Sequence, residues 1–230
     1  MIKKEIGLVQ KIAAEEYSKT KDVSVKKYPS LELVRIEKKI FKKNNINRTK
    51  VLEYAVGGGC NTQFLVEEGY EVFGLDVTDI AIKTTSKRIN SLEGKKDFLH
   101  LNKLPLDAKK LNYSDDYFDY IVAMSVLSLL GEEERINLLL QEFFRVLKKG
   151  GKIILDINDS NSEFSSGKKQ IEKNIFLAGP FQDNIKCYCI STEEEFVNLV
   201  QNYFKVLDSG YSCHKLFGRR INEWIVCAEK

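Results

Sequence analysis

Between residues 50 and 157 the chain alternates short apolar runs with segments whose apolar positions recur three and four apart. The runs read as strands and the periodic segments as helices. Lys50 to Ala55 is the first strand and ends in Gly57-Gly58-Gly59; residues 61–68 form a short helix stopped by Gly69. Glu71 to Asp76 is the second strand. A helix over 79–92 follows, with Ile80, Ala81, Thr84 and Ile89 on its inner side. A third strand lies between Phe98 and Asp107; Pro105 blurs its limits, and its end is placed near Asp107. Asp119 to Met124 is nearly all apolar, as a central parallel strand should be. Glu132 to Lys148 is a helix stopped by Gly150-Gly151, and Lys152 to Ile157 is the fifth strand. Such alternation predicts a parallel sheet covered by helices on both faces.

The flanks are different. Ile2, Ile6, Val9 and Ile12 predict an amphipathic helix over 1–18. After Tyr28-Pro29, Ser30 is placed to cap a second helix over 31–43, with Leu31, Val34 and Phe41 turned inward. Residues 158–190 break the pattern, polar at first and then with Gly179-Pro180; so long a connection usually has a task or local structure of its own. Residues 192–203 are helical, with Thr192 and Glu195 as a capping box. Strands over 204–213 and 223–229 close the chain, with Arg219 and Arg220 between them. The division is therefore a helical cap (1–45), a core (46–157), an insertion (158–190) and a terminal unit (191–230).

Composition narrows the class. The chain has 230 residues, 43% hydrophobic and 30% charged, enough for one α/β domain with a surplus. A net charge of only +3 does not call for nucleic acid. Residues 1–50, however, hold fourteen Lys/Arg against six Asp/Glu. That segment is either a solvated face or an attractor for an anionic molecule. No apolar run approaches the ~18–20 residues of a membrane span, and the longest, Ile121 to Leu130, contains two serines. The first ten residues lack the apolar stretch of a secretory signal, and five cysteines without a C-x-x-C pair read as reduced thiols, so a cytoplasmic location is expected. Cys187 and Cys189 would face the same way in a strand, which is no zinc signature.

The chemistry gathers in VLEYAVGGGCNT (51–62) and FGLDV (73–77). A strand that ends in glycines and feeds a helix lets backbone approach a ligand, and the helix start offers N–H groups. Asp76, nineteen residues after Gly57, is placed to accept from both hydroxyls of a ribose. The dinucleotide fingerprint G-x-G-x-x-G fails at its last position, where Thr62 stands, and Glu53 at the strand tip suits a cationic ligand better than a pyrophosphate.

The stretch Glu53-Tyr54-Ala55-Val56-Gly57-Gly58-Gly59 resembles motif I of class I methyltransferases, commonly E/D-x-G-x-G-x-G. The similarity continues in order through Asp76, Leu106-Asp107-Ala108, Tyr117-Phe118-Asp119-Tyr120-Ile121-Val122 and Phe144-Arg145-Val146-Leu147-Lys148-Lys149-Gly150-Gly151. It implies a Rossmann-like, doubly wound α/β sheet of seven strands, mostly parallel with an antiparallel last strand, and S-adenosylmethionine as cofactor, released as S-adenosylhomocysteine. By the same resemblance, backbone at Ala55, Gly57 and Gly59 faces the methionine part, and Asn61 and Thr62 meet its carboxylate. Asp76 holds the ribose, and Val77 and Ile80 pack at the adenine. Asp107 accepts from the adenine amino group, and the Ala108 N–H reaches a ring nitrogen. Met124 and Ser125 close the methionine side, and Tyr28 and Arg35 stand near its carboxylate. Ala55 replaces a glycine of the motif, which an ordinary backbone angle would tolerate.

The implied reaction is in-line methyl transfer to an O- or N-nucleophile of a small molecule, in which alignment alone supplies roughly 7–11 kcal/mol of barrier lowering. Asp156, Asp159, Tyr188 and His214 are the candidate bases, unranked. Ala123-Met124-Ser125-Val126 does not resemble the N/D-P-P-Y/F motif of amine-directed DNA methylation. Met124 stands where metal-dependent catechol enzymes carry an aspartate, so no metal is expected. The basic first fifty residues, with Arg219 and Arg220, favour an anionic acceptor. Two other readings stay open: a cofactor-binding relative without catalysis, and a nicotinamide-dependent oxidoreductase.

Overall fold

A computed structural model describes residues 28–41, 49–105, 108, 110–163, 165–178, 185–216 and 219–230. The expected helix over 1–18 lies outside these residues, as do Leu106 and Asp107. Five helices are described: α1 (Leu31–Ile40), α2 (Cys60–Glu67), α3 (Asp79–Asn90), α4 (Glu133–Val146) and α5 (Glu193–Gln201). Among the ten strands, β1 is Lys50–Tyr54, β2 Glu71–Asp76, β3 Leu99–Lys103, β4 Phe118–Ala123 and β5 Leu147–Asn158. Later come β6 (Lys169–Glu172), β7 (Ile175–Ala178), β8 (Ile185–Tyr188), β9 (Lys205–Leu216) and β10 (Arg219–Glu229).

Seven strands form one sheet in the order β3-β2-β1-β4-β5-β10-β9. The pairings from β3 to β5 are parallel, and β10 runs antiparallel to both neighbours. The chain order reverses at β1/β4, the kind of switch point where open α/β sheets bind ligands beyond the strand ends. The sheet buries both faces. On one, Leu33 of α1, Leu65 and Val66 of α2 and Ile89 of α3 pack with Val51, Val72, Val122 and Ile154. On the other, Ile136, Leu140 and Phe143 of α4 and Phe196 and Val200 of α5 pack with Leu52, Ile121, Ile153 and Leu155. The first face is called the α1 face below.

The departures from expectation have local causes. In α1 Leu33 and Glu37 are buried, Leu31 is exposed and Val34 is half-buried; Phe41, just past the helix, is buried as expected, and Ser30 does cap the helix, accepting from Leu33 N–H. In α3 the buried positions are Ala81, Thr85 and Ile89, spaced four apart, so Thr85 takes the place expected for Thr84. Strand β5 begins at Leu147, before the two glycines, because Leu147 pairs with Phe118 and the Gly150 N–H donates to Lys230 O. Gly150, at φ +74, turns inside the strand pairing instead of ending the helix. Much of the insertion forms a second sheet, β6-β7-β8, and Ile190 bridges to Asp159. No helix among the described residues is long and apolar enough to cross a membrane.

Candidate active site

The turn after β1 is built from left-handed residues. Ala55 has φ +66, Gly57 +52 and Gly59 +75. The N–H groups of Ala55 and Val56 both donate to Leu75 O, at 2.8 and 3.0 Å, which folds the turn across the tip of β2. The angle at Ala55 is therefore not the ordinary one expected, and an L-residue there carries strain of about 1–2 kcal/mol. Gly59 is required twice over. It caps α2 in the left-handed region, and a Cβ there would lie 2.7 Å from Thr85 Oγ1. At Gly57 a Cβ would meet nothing within 4 Å, so open space faces the turn.

Two buried carboxylates flank that space. Glu53 is 3% exposed and accepts from the Thr62 hydroxyl at 2.5 Å. Burial pushes its carboxyl up to about 8; the Thr62 bond pulls the other way, and the charge of Asp76 adds to the rise. Asp76, at the tip of β2, accepts from Gly57 N–H at 3.0 Å and from the Thr78 N–H and hydroxyl, both at 2.9 Å. Burial raises its carboxyl above the ordinary value against those bonds. A carboxylate offers about four lone-pair sites, so holding both ribose hydroxyls means exchanging one of these bonds. A buried acid that resists ionisation beside a second acid is a site for a cation. S-adenosylmethionine fits on these grounds: a cationic donor, a ribose, and a backbone turn with room in front of it.

The methyltransferase domain family matches residues 52–155, the segment that contains this turn and both carboxylates. A solved S-adenosylmethionine-dependent methyltransferase of Methanosarcina mazei superposes with a TM-score of 0.67 at 21% identity, covering 80% of this chain and 93% of that one. Residues 52–155 of this chain are a methyltransferase domain, on the fold of the S-adenosylmethionine-dependent enzymes. A phosphatidylethanolamine N-methyltransferase of Cereibacter sphaeroides is 29% identical over 111 residues, 48% of this chain. The chain spans about half the length of that curated relative, 51% of which is covered. The 1,6-didemethyltoxoflavin-N1-methyltransferase of Burkholderia thailandensis, solved with S-adenosylhomocysteine, superposes with a TM-score of 0.70 at 14% identity over 96% of this chain and 87% of that one.

Several expected cofactor contacts in this methyltransferase domain are engaged with protein. Asn61 Oδ1 accepts from Ser30 N–H at 2.9 Å and fastens the start of α1 to α2. The Thr62 side chain belongs to Glu53. The Ser125 N–H, at a residue with φ +58, donates to Asp156 at 2.6 Å. The Ala108 N–H donates to Pro105 O at 3.0 Å. Val77 is half-buried and packs at the edge of the core, and Ile80 is half-buried near it in sequence. Met124 is buried at the end of β4. Tyr28 and Arg35 are exposed on the segment that Asn61 holds. Asp107 lies outside the described residues.

Of the four candidate bases, three are engaged in holding other parts of the protein. Tyr188 donates to Glu133 at 2.6 Å, and burial together with that bond raises its hydroxyl well above the ordinary value. Asp159 accepts from the Tyr211 hydroxyl at 2.6 Å and from the Asn161 N–H and side chain. Asp156, buried at the tip of β5, holds Ser125. His214 Nε2 lies 3.0 Å from Ser212 Oγ and 3.5 Å from Glu32 of α1, which accepts from the Ser212 hydroxyl at 2.8 Å. Burial pushes Glu32 up, but its bonds from Ser212, Ser30 and His214 hold it below the usual carboxylate range.

Glu32, Ser212, Asn158 and Glu223, which the fold brings close to these candidates, were not singled out from the sequence. The alternation of a strand places Asn158 on the same face as Asp156, a readable signal. Glu32 and Ser212 are 180 positions apart and meet only through the fold. Among the described residues no group of three or more His, Cys, Asp or Glu side chains is gathered to hold a metal.

Proposed function

We propose that this protein transfers a methyl group to a nitrogen of a small molecule, which lies against the tips of β4, β5 and β10. The cofactor supplies an activated methyl on sulfur. Asp76 would hold its ribose, Glu53 its cationic methionine part, and the turn at Gly57 gives it room. The observation that carries the acceptor side is a run of carboxylates on the α1 face. Asp156 and Glu223 lie along the strand tips, and Glu32 reaches over from α1. Such a lining favours an amine over an anion, in place of the anionic acceptor expected from the basic first fifty residues. An amine must lose its proton before its lone pair can attack. The His214–Ser212–Glu32 group is suited to accept it. Two of the similar proteins are named for N-methylation, which agrees with this reading.

The test is transfer of a labelled methyl from S-adenosylmethionine to ethanolamine and 2-aminophenol, with phenol and benzoate as controls. Label on the amines alone is expected. Label confined to phenol or benzoate would sink the nitrogen assignment, and calorimetric binding of NADH in preference to S-adenosylhomocysteine would sink the cofactor.

A further inference from the structure

The tip of β5 carries a buried donor that the protein does not use. Asn158 is 6% exposed and is fixed through its backbone, its N–H donating to Ser128 Oγ at 2.9 Å and its carbonyl accepting from Ile190 N–H at 3.0 Å. Its side-chain Nδ2 has no hydrogen-bond partner among the described residues. Buried polar atoms are overwhelmingly paired, and leaving one unpaired costs about 1–3 kcal/mol.

Its position in the sheet says which side chains surround the donor. Asn158 lies opposite Glu223, and Glu223 opposite Ser212, in successive antiparallel pairings. Directly opposed residues share a face of the sheet. The row therefore stands on the α1 face, where Glu32 meets Ser212. Two residues earlier on the same face is Asp156, which holds Ser125 beyond the end of β4. The unused amide thus stands between the strand-four tip and the Ser212–His214–Glu32 group, at the end of the sheet assigned above to the acceptor.

We infer that Asn158 is a positioning and specificity residue that donates from Nδ2 to a neutral oxygen, hydroxyl or carbonyl, on the methyl acceptor. The acceptor then carries such an oxygen close to its reacting nitrogen. A charged oxygen is disfavoured by the carboxylates of Asp156, Glu223 and Glu32. This rests on the nitrogen-acceptor reading above and adds to it a rule for telling one amine from another.

The experiment compares the full chain with Asn158→Leu, which keeps the branched shape of the side chain and removes the donor. Three quantities are measured: melting temperature without ligand, affinity for S-adenosylhomocysteine, and methyl transfer to ethanolamine and to ethylamine, which lacks the oxygen. The wild type should prefer ethanolamine by about tenfold in kcat/KM, and Asn158→Leu should erase the preference through KM. Cofactor affinity should stay within about twofold. The melting temperature should hold or rise, because an unpaired donor has been removed. A structural partner or an ordered water on Nδ2 would instead make the variant melt lower. A lower melting temperature with the preference intact overturns the inference, as does a wild type indifferent to the oxygen. If the wild type methylates neither amine, it is the acceptor reading that falls. Asn158 is then judged by calorimetry with ethanolamine and S-adenosylhomocysteine together: heat that the variant loses supports the inference, and its absence in the wild type overturns it.

Discussion

Binding of the cationic cofactor beside Glu53 should expel a proton from the protein. In the ligand-free protein burial holds the Glu53 carboxyl up to about 8, so at pH 7 about nine in ten copies are protonated. A positive charge at about 4 Å, at an effective dielectric of about 20, attracts the carboxylate by about 4 kcal/mol. At about 1.4 kcal/mol per unit that lowers the pKa by about three units, to about 5. Nearly every bound copy is then ionised, and about 0.9 proton leaves per cofactor bound at pH 7. Ionising the acid at pH 7 costs about 1.4 kcal/mol, which leaves about 2–3 kcal/mol, or on the order of 100-fold in affinity. The assay is calorimetry of S-adenosylmethionine binding in phosphate and in Tris at one pH. The difference in heat, divided by the difference in buffer ionisation enthalpy, counts the protons. Affinity should also rise with pH between about 5 and 8. Glu53→Gln should abolish the release and weaken binding by about that factor. Heats that do not depend on the buffer, together with undiminished binding by Glu53→Gln, would refute the reasoning.

Three further outcomes follow from the same contacts. Because the folded state holds the Glu53 proton that the unfolded chain gives up near 4.5, ligand-free stability should fall as pH rises from about 4.5 to about 8 and then level off. Chemical denaturation across that range should show a flatter profile for Glu53→Gln. Asp76→Asn should weaken S-adenosylhomocysteine by about 1.5–3 kcal/mol, roughly 10- to 100-fold, the worth of hydrogen bonds to a charged group; unchanged affinity would remove Asp76 from the site. Arg145 donates to Leu111 O, Tyr113 O, Asp115 and Glu142 and so pins the loop ahead of β4. Arg145→Met leaves the half-buried Glu142 short of its cation and should cost about 2–3 kcal/mol, read as a fall in melting temperature of about 4–12 °C.

The core was legible because its signals are local. Strand β2 runs from Glu71 to Asp76 as the apolar run predicts, and β1, β4, α3 and α4 fall within two residues of expectation at their ends. Glu53 and Asp76 were singled out by their place at strand tips beside glycines. The protein partners of the Asn61 and Thr62 side chains, Ser30 and Glu53, could not be read from the sequence because they lie outside the helix that presents them. Spacing gives an angle on a helix but not the neighbour that occupies it. The second sheet in the insertion was not legible either, since β6, β7 and β8 are only four residues each, too short for a periodicity to stand out. The group formed by Glu32, Ser212 and His214 joins the first described helix to an edge strand, and no pattern within either segment announces it.

The three left-handed positions of the turn would separate in a saturation scan. Position 59 should accept glycine alone, since any Cβ collides with Thr85. Position 55 already tolerates alanine at φ +66, held by two bonds to Leu75 O, so its selection should be graded by side-chain bulk rather than absolute. Position 57 is different in kind, because a Cβ there meets empty space and asparagine is at ease in the left-handed region. The Gly57→Asn chain should fold and melt like the parent yet lose the ligand that needs the room. Conservation of that glycine across relatives would then record selection for binding alone, whereas at position 59 the same letter records selection for folding.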